Sequence, residues 1–242
     1  MNPIERAAAL SPWAQVNVGE KALLFMGLLF LAISVPPLPL LPIIAVVAVC
    51  LACIARVDWR IVGVIVGGSA LFLAVGTIPL IWALTTHGFV HIPGGEWDAA
   101  RVLSRAIVGM FITVTFALIT PMAEIVVWLG RCGVPGELVH VIVLMYRMTA
   151  SLVATAHSMW EAQAQRLGHS TRRRWIASAA GQTSSLFVIS FARARRLQEG
   201  LELRADPSSM RTLDRPRPVR PGWLIGTVAL LVALGISAFF LR

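Results

Sequence analysis

Five apolar runs, most of them near the length of a membrane-spanning helix, constrain this sequence more than any other feature. They cover Ala22–Val35, Leu40–Ala55, Ile61–Leu84, Val102–Leu129 and Gly222–Leu241. A helix needs about 20 apolar residues to cross a bilayer, so the first two runs are a little short and the others suffice. Pro36-Pro-Leu-Pro39 predicts a tight turn between the first two, and Pro79 predicts a kink in the third. We predict an all-α, polytopic membrane protein with about five transmembrane helices.

A long basic insert separates the fourth run from the fifth. Fourteen of the chain's 21 Lys and Arg residues lie between Arg131 and Arg220, against six acidic residues. Apolar spacing predicts two helices in it, Glu137–Leu167 and Trp175–Arg204, separated by Gly168 and Thr171-Arg-Arg-Arg174. The predicted organisation is therefore four membrane spans in residues 1–130, a cytoplasmic region of long coupling helices in residues 131–221, and a last span in residues 222–242.

The distribution of cationic residues predicts the orientation in the membrane. Counted by alternate loops, 18 Lys and Arg lie on the side of the N-terminus and three on the other side. Cytoplasmic loops carry the excess of positive charge, so the N-terminus is predicted to be cytoplasmic in a multi-pass cell (inner) membrane protein. Thr85–Ala100, which contains Pro93-Gly-Gly95, is then a loop on the outer side. Arg172-Arg-Arg174 is predicted to be a lipid-headgroup or topology signal rather than a binding site.

The net charge of +9 would suggest a nucleic-acid partner for a soluble protein. Only 14% of residues are charged, against about 25% in an average soluble domain, and the sequence contains neither a zinc finger nor an aromatic and basic sheet for base stacking. We therefore predict no nucleic-acid partner. Cys50 and Cys53, within an apolar run, are expected to be small core residues because no second Cys or His pair lies near them.

Two short motifs each place one arginine at the end of a predicted long helix. They are Ala162-Gln-Ala-Gln-Arg166-Leu-Gly168 and Gly200-Leu-Glu-Leu-Arg204-Ala205. A guanidinium offers five donors in a rigid fork, so it can anchor a helix end in an acidic or carbonyl-lined groove of a partner. The alternative is a solvated arginine that interacts with its own helix dipole. Packed helices of about 45 Å would put Arg166 and Arg204 at opposite ends, which suits a dimeric partner.

The sequence resembles the CbiQ-type transmembrane (T) component of cobalt and nickel energy-coupling-factor ABC transporters, from about Leu10 to Leu213. The resemblance rests on the two arginine motifs, on the charged pair Glu20-Lys21 before the first span, and on Arg131-Cys-Gly-Val-Pro-Gly-Glu137-Leu-Val with Tyr146-Arg147 after it. The family commonly has Ala-Arg-Gly in its motifs, whereas this chain has Gln165-Arg166-Leu167 and Leu203-Arg204-Ala205.

The resemblance implies a non-enzymatic coupling role in cobalt uptake, as used in cobalamin biosynthesis. The implied partners are a dimer of cytoplasmic ATP-binding subunits and an integral-membrane subunit that captures the metal; no cofactor is implied. The residues implied to dock the ATPase are Gln165, Arg166, Leu167, Leu203, Arg204 and Ala205.

Other functions have less support in the sequence. A self-sufficient metal-ion permease or channel should carry ionisable residues near the midplane of its spans, and Glu124 is the only acidic residue in the five runs. We expect Glu124 to snorkel or to pair with Arg131. The only lysine, Lys21, follows Glu20, so there is no P-loop, and there is no His-Glu-x-x-His pattern of a metalloprotease.

His87 and His91, with Glu96 and Asp98 nearby, are the most plausible metal ligands in the sequence. Imidazoles four residues apart on a helix could share an ion. Gly88 and Pro93 make a helix doubtful there. We therefore predict no essential metal site in this loop.

Overall fold

The computed structural model of the chain describes residue 8 and residues 11–34, 37–85, 88–203 and 221–240. Their elements are a 3₁₀ turn at Pro12–Gln15, α1 (Val18–Ser34), α2 (Pro37–Ile54), α3 (Trp59–Gly76), α4 (Ile78–Ile81), β1 (Trp82–Thr85), β2 (Gly88–His91), α5 (Gly95–Ile119), α6 (Met122–Arg131), α7 (Gly136–Gln165), α8 (Arg172–Glu202) and α9 (Pro221–Phe240). Helices dominate, which confirms the predicted all-α class. The chain divides into two compact units, residues 2–128 with 216–242, and residues 129–215.

The first unit is a helical bundle with α5 at its centre. This helix packs against α1, α2 and α3, and α9 packs against α1. The fully buried side chains include Phe25, Leu28, Ile44 and Ile112. Ala48 and Ala52 on α2 are also fully buried, and such small residues allow helix backbones to approach closely.

The outer surface of this bundle is apolar, as expected of helices that face lipid. Val64, Leu71 and Phe72 on α3 are each more than 70% exposed. By length and composition, Trp59–Ile81, Gly95–Ile119 and Gly136–Gln165 could each cross a membrane, and Leu40–Ile54 and Pro221–Ser237 are shorter apolar helices. These features support a polytopic membrane protein.

The predicted fourth span, Val102–Leu129, which Pro121 interrupts in the sequence, consists of two helices. The structure begins α5 at Gly95 and ends it at Ile119, and a separate helix, α6, follows from Met122. Pro121 causes the break because it has no N–H to donate and its ring forces the preceding residue out of the helical region. Thr120 accordingly has extended backbone angles, φ −124° and ψ 105°.

The predicted loop Thr85–Ala100 is also more ordered than expected. Strands β1 and β2 pair in an antiparallel hairpin, with Trp82 opposite His91, and α5 begins at Gly95. The hairpin shortens the third predicted span, which ends at Ile81 rather than Leu84. The helix is interrupted at Thr77, two residues before Pro79, which confirms the predicted disturbance at this proline.

The second unit contains α7 and α8, close to the predicted Glu137–Leu167 and Trp175–Arg204. One prediction was wrong: Arg172, Arg173 and Arg174 do not separate the helices but form the first turn of α8. Thr171 is the N-cap, and its hydroxyl accepts a hydrogen bond from the Arg174 N–H over 3.3 Å. Three cations at a helix N-terminus oppose the helix dipole, so helix stability is not the reason for their position.

Candidate functional site

The long helices α7 and α8 form an antiparallel hairpin. Gln182 Nε2 donates a hydrogen bond to the Ala156 carbonyl over 2.7 Å, and Arg193 Nη1 donates one to Ser151 Oγ over 2.7 Å. Later residues of α8 thus meet earlier residues of α7, so the helices run in opposite directions. Arg166 lies at the turn between them, and Leu203 follows the far end of α8. The 31 residues of α8 separate these ends by about 45 Å at roughly 1.5 Å per residue.

The turn after α7 has the hydrogen bonds of a Schellman motif. Leu167 N–H donates to the Ala164 carbonyl over 3.0 Å, and Gly168 N–H donates to the Gln163 carbonyl over 2.8 Å. Leu167 has φ +56°, in the left-handed region where glycine is usual. Gly168 meets a different requirement, because a Cβ there would lie 2.7 Å from Ser178 Oγ. Leu167 therefore provides the left-handed backbone conformation of the turn, and Gly168 provides the space that Ser178 needs.

An aromatic cluster joins the two helices next to this turn. The ring centroids of Trp160 and His169 lie 4.1 Å apart, and those of Trp160 and Trp175 lie 6.2 Å apart in an edge-to-face arrangement. Ser178 Oγ also donates a hydrogen bond to the Gly168 carbonyl over 3.1 Å. These contacts connect the end of α7 to the beginning of α8 and so fix the backbone around Arg166.

The predicted docking residues that the structure describes are exposed. Gln165 and Arg166 are solvent-accessible, Leu167 is 66% exposed, and Leu203 is 87% exposed. Arg204 and Ala205 lie outside the described residues. Each motif thus presents a leucine beside its arginine in the sequence, and no described side chain covers either leucine. Exposed large apolar side chains are candidates for contact with a partner.

An apolar groove of about 560 Å³ lies between α7 and α8, away from the turn. Its apolar lining comes from Leu144, Met145, Met148, Leu152, Ala194, Leu197 and Leu201. Ala194, Leu197 and Leu201 recur every three to four residues in the sequence, as expected of one face of a helix. Amphipathic helix faces of this kind bind apolar partners.

The arginines along α8 have different roles. Arg195 Nε lies 3.3 Å from Glu199 Oε1, a surface ion pair that the spacing of four residues favours. Arg193, two residues earlier, is instead half-buried. It donates hydrogen bonds to Ser151 Oγ and, over 3.5 Å, to Thr155 Oγ1, so it helps to hold the hairpin together.

A buried ion pair in the first unit was missed at the sequence level. Lys21 is fully buried, and its Nζ lies 3.9 Å from Glu124 Oε2 and donates a hydrogen bond to the Ile119 carbonyl over 3.3 Å. Arg131, the predicted partner of Glu124, is two turns further along α6. Lys21 therefore places its charge at the negative end of α5 and beside a carboxylate in the first turn of α6. The only signal in the sequence was a single lysine at the start of an apolar run.

The predicted histidine pair can be described only in part. His91 Nε2 lies 3.4 Å from Glu96 Oε1 at the surface, and His87 is outside the described residues. Within the ranges that the structure describes, no three His, Cys, Asp or Glu side chains come together in a way that could hold a metal ion.

Comparison with known proteins gives consistent results. Residues 11–205 match the family described as cobalt transport protein CbiQ. The cobalt transport protein CbiQ of Rhodobacter capsulatus is 34% identical over 239 residues, which cover 97% of this chain and 96% of that protein. Cobalt transport protein CbiQ of Salmonella typhimurium is 24% identical, over 84% of this chain and 96% of its own length. The putative fused cobalt transport protein CbiMQ of Methanocorpusculum labreanum is 24% identical over 98% of this chain and 41% of its own length.

Proposed function

The chain belongs to the CbiQ family of cobalt transport proteins, and from this we propose that it is the transmembrane coupling component of an energy-coupling-factor importer for cobalt. In this role it transmits the ATP-driven motion of cytoplasmic ATP-binding subunits to an integral-membrane subunit that captures the metal. The chain itself is not catalytic.

The observation that supports this proposal most is the exposed hairpin of α7 and α8 with a candidate docking motif at each end. Arg166 is exposed at the turn, and Leu203, the neighbour of Arg204, is exposed about 45 Å away. Two subunits of an ATPase dimer could each bind one end. When the two ATPase subunits move relative to each other, the helical hairpin bound between them would be displaced.

Residues of the first unit support a role without ATP hydrolysis. The only lysine, Lys21, is buried against Glu124 and the Ile119 carbonyl, so it cannot bind a nucleotide phosphate from this position. ATP must then be hydrolysed by another chain. The relative called fused CbiMQ extends well beyond the stretch that matches this chain, which is consistent with assembly with a further subunit.

The alternative is a self-sufficient permease, and reconstitution separates the two. We expect proteoliposomes to take up cobalt only when the chain is present with an ATP-binding subunit and a metal-capturing membrane subunit, and only with ATP. A matched control replaces the P-loop lysine of the ATP-binding subunit, which should abolish uptake and leave assembly intact. Cobalt uptake by vesicles that hold this chain alone would favour the permease.

We also propose that the N-terminus and the hairpin of α7 and α8 are cytoplasmic and that β1 and β2 are outside. Although α7 is long and apolar enough to span a membrane, its second half carries His157 and Glu161 on the surface and packs against α8.

Single cysteines at positions 90 and 170, in a chain without its native cysteines, test this orientation. A membrane-impermeant maleimide should label position 90 in intact cells and position 170 only after permeabilisation. The opposite pattern, or labelling of both positions in intact cells, would contradict the orientation.

A further inference from the structure

We propose that Leu167 is an apolar anchor of the Arg166 docking motif and that the ATP-binding subunit receives it in an apolar pocket flanked by a carboxylate. This inference rests on the proposed function. It adds the chemistry of the surface that the partner must present: apolar area for Leu167 beside an acidic group for Arg166.

The backbone at Leu167 is the first observation. In the described residues only Arg56 and Leu167 are non-glycine residues at positive φ, with φ 52° and φ 56°. A side chain in the left-handed region is strained relative to glycine there. The conformation nevertheless persists at Leu167, although glycine in the same Schellman turn would avoid the strain.

Packing within the hairpin does not explain the leucine. Its side chain is 66% exposed, and the contacts that hold the turn together come from Trp160, His169 and Trp175. A strained backbone that carries an exposed apolar side chain does not stabilise the isolated hairpin. The side chain stabilises a complex if a partner buries it.

Leu203 supports this reading from the other end of the hairpin. It directly precedes Arg204, as Leu167 directly follows Arg166, and it is 87% exposed. Both motifs therefore combine a cation with an uncovered leucine. A single type of partner surface, acidic and apolar side by side, would fit both.

Arg56 supplies a matched comparison within the same chain. It lies in a Schellman turn after α2, where its N–H donates to the Cys53 carbonyl over 3.0 Å and Val57 N–H donates to the Ala52 carbonyl over 3.2 Å. The backbone conformation is therefore similar at the two positions, but Arg56 has no docking motif beside it. Glycine at either position should relieve strain, and only glycine at Leu167 should affect docking.

The experiment measures co-purification and affinity of the ATP-binding subunit with full-length variants in detergent. Leu167→Gly should raise Tm by about 2–4 °C, yet weaken binding on the order of tenfold because the buried apolar area is lost. Arg56→Gly should raise Tm similarly and leave binding unchanged. Leu167→Asn, which tolerates positive φ without the flexibility of glycine, should weaken binding as glycine does, whereas Leu167→Met should retain it.

The outcomes separate this inference from the proposed function. Full binding by Leu167→Gly and Leu167→Asn, with loss in Arg166→Ala, would overturn the anchor and leave the coupling role in place. Full binding by Arg166→Ala as well, or no binding by the unaltered chain, would overturn both.

Discussion

Replacing Lys21 with methionine is expected to lower the free energy of unfolding by about 3–5 kcal/mol, because it removes the fully buried member of an ion pair whose carboxylate is only 19% exposed. The lysine is fully buried, with Nζ 3.9 Å from Glu124 Oε2 and 3.3 Å from the Ile119 carbonyl oxygen. Methionine fills a similar volume without the charge. It would leave the Glu124 carboxylate without its cation and the carbonyl at the end of α5 without this donor.

Reversible unfolding in mixed SDS micelles measures this effect, and other variants isolate its cause. Arg60→Met removes an exposed cation and should change stability by less than about 0.5 kcal/mol. Lys21→Met with Glu124→Gln should recover much of the loss, since neither member of the pair is then charged.

Exchanging the two residues, Lys21→Glu with Glu124→Lys, should recover less. The exchange restores opposite charges but places a carboxylate against the Ile119 carbonyl oxygen. A Lys21→Met protein as stable as Arg60→Met would show that the pair contributes nothing.

The positions of the helices were largely predictable because proline and apolar periodicity act locally. Pro79 predicted a disturbance at the end of the third run, and the break occurs at Thr77. Pro121 likewise interrupts the fourth run, and the chain there forms two helices that end and begin on either side of it. Hydropathy measures whether a segment tolerates lipid, not whether its helix is continuous.

The interactions that join distant parts of the chain were not predictable from the sequence. Lys21 and the Ile119 carbonyl are 98 residues apart, and no local pattern selects Lys21 over Arg131 as the partner of Glu124. The hydrogen bonds of Arg193 to Ser151 and Thr155 depend on the register of the hairpin, which is a property of the packed helices.

The turn at the first docking motif shows the same limit at short range. A glycine next to the end of a helix suggests the left-handed position, and Gly168 is the obvious candidate. The structure gives positive φ to Leu167 instead, and Gly168 is required by its approach to Ser178. The glycine in the sequence correctly indicated a turn at the end of the helix. Only the three-dimensional contacts show that Leu167 has the positive φ and that Gly168 is needed for its close approach to Ser178.

Replacing both Arg166 and Arg204 with alanine is expected to release the ATP-binding subunits almost completely. Hydrogen bonds to a charged group are strong, so each single replacement should weaken assembly about tenfold or more. Arg166 and Leu203, the neighbour of Arg204 in the sequence, lie about 45 Å apart along the hairpin, and effects at distant sites usually add. The double variant should therefore weaken assembly about a hundredfold or more. Co-purification of the ATP-binding subunit and its ATP turnover measure the loss.

Two further variants determine what the arginines contribute. Lysine at positions 166 and 204 should restore assembly poorly, because it keeps the charge but loses the planar fork of donors. Arg196→Ala, which removes an exposed arginine about two helical turns before Leu203, should leave assembly and turnover unchanged. If either single variant already releases all of the ATPase, the two ends act as one cooperative site. If the double variant recovers as much ATPase as the unaltered chain, with normal turnover, the two arginines have no coupling role and the hairpin must transmit motion through other surfaces, of which the groove between α7 and α8 is the first to test.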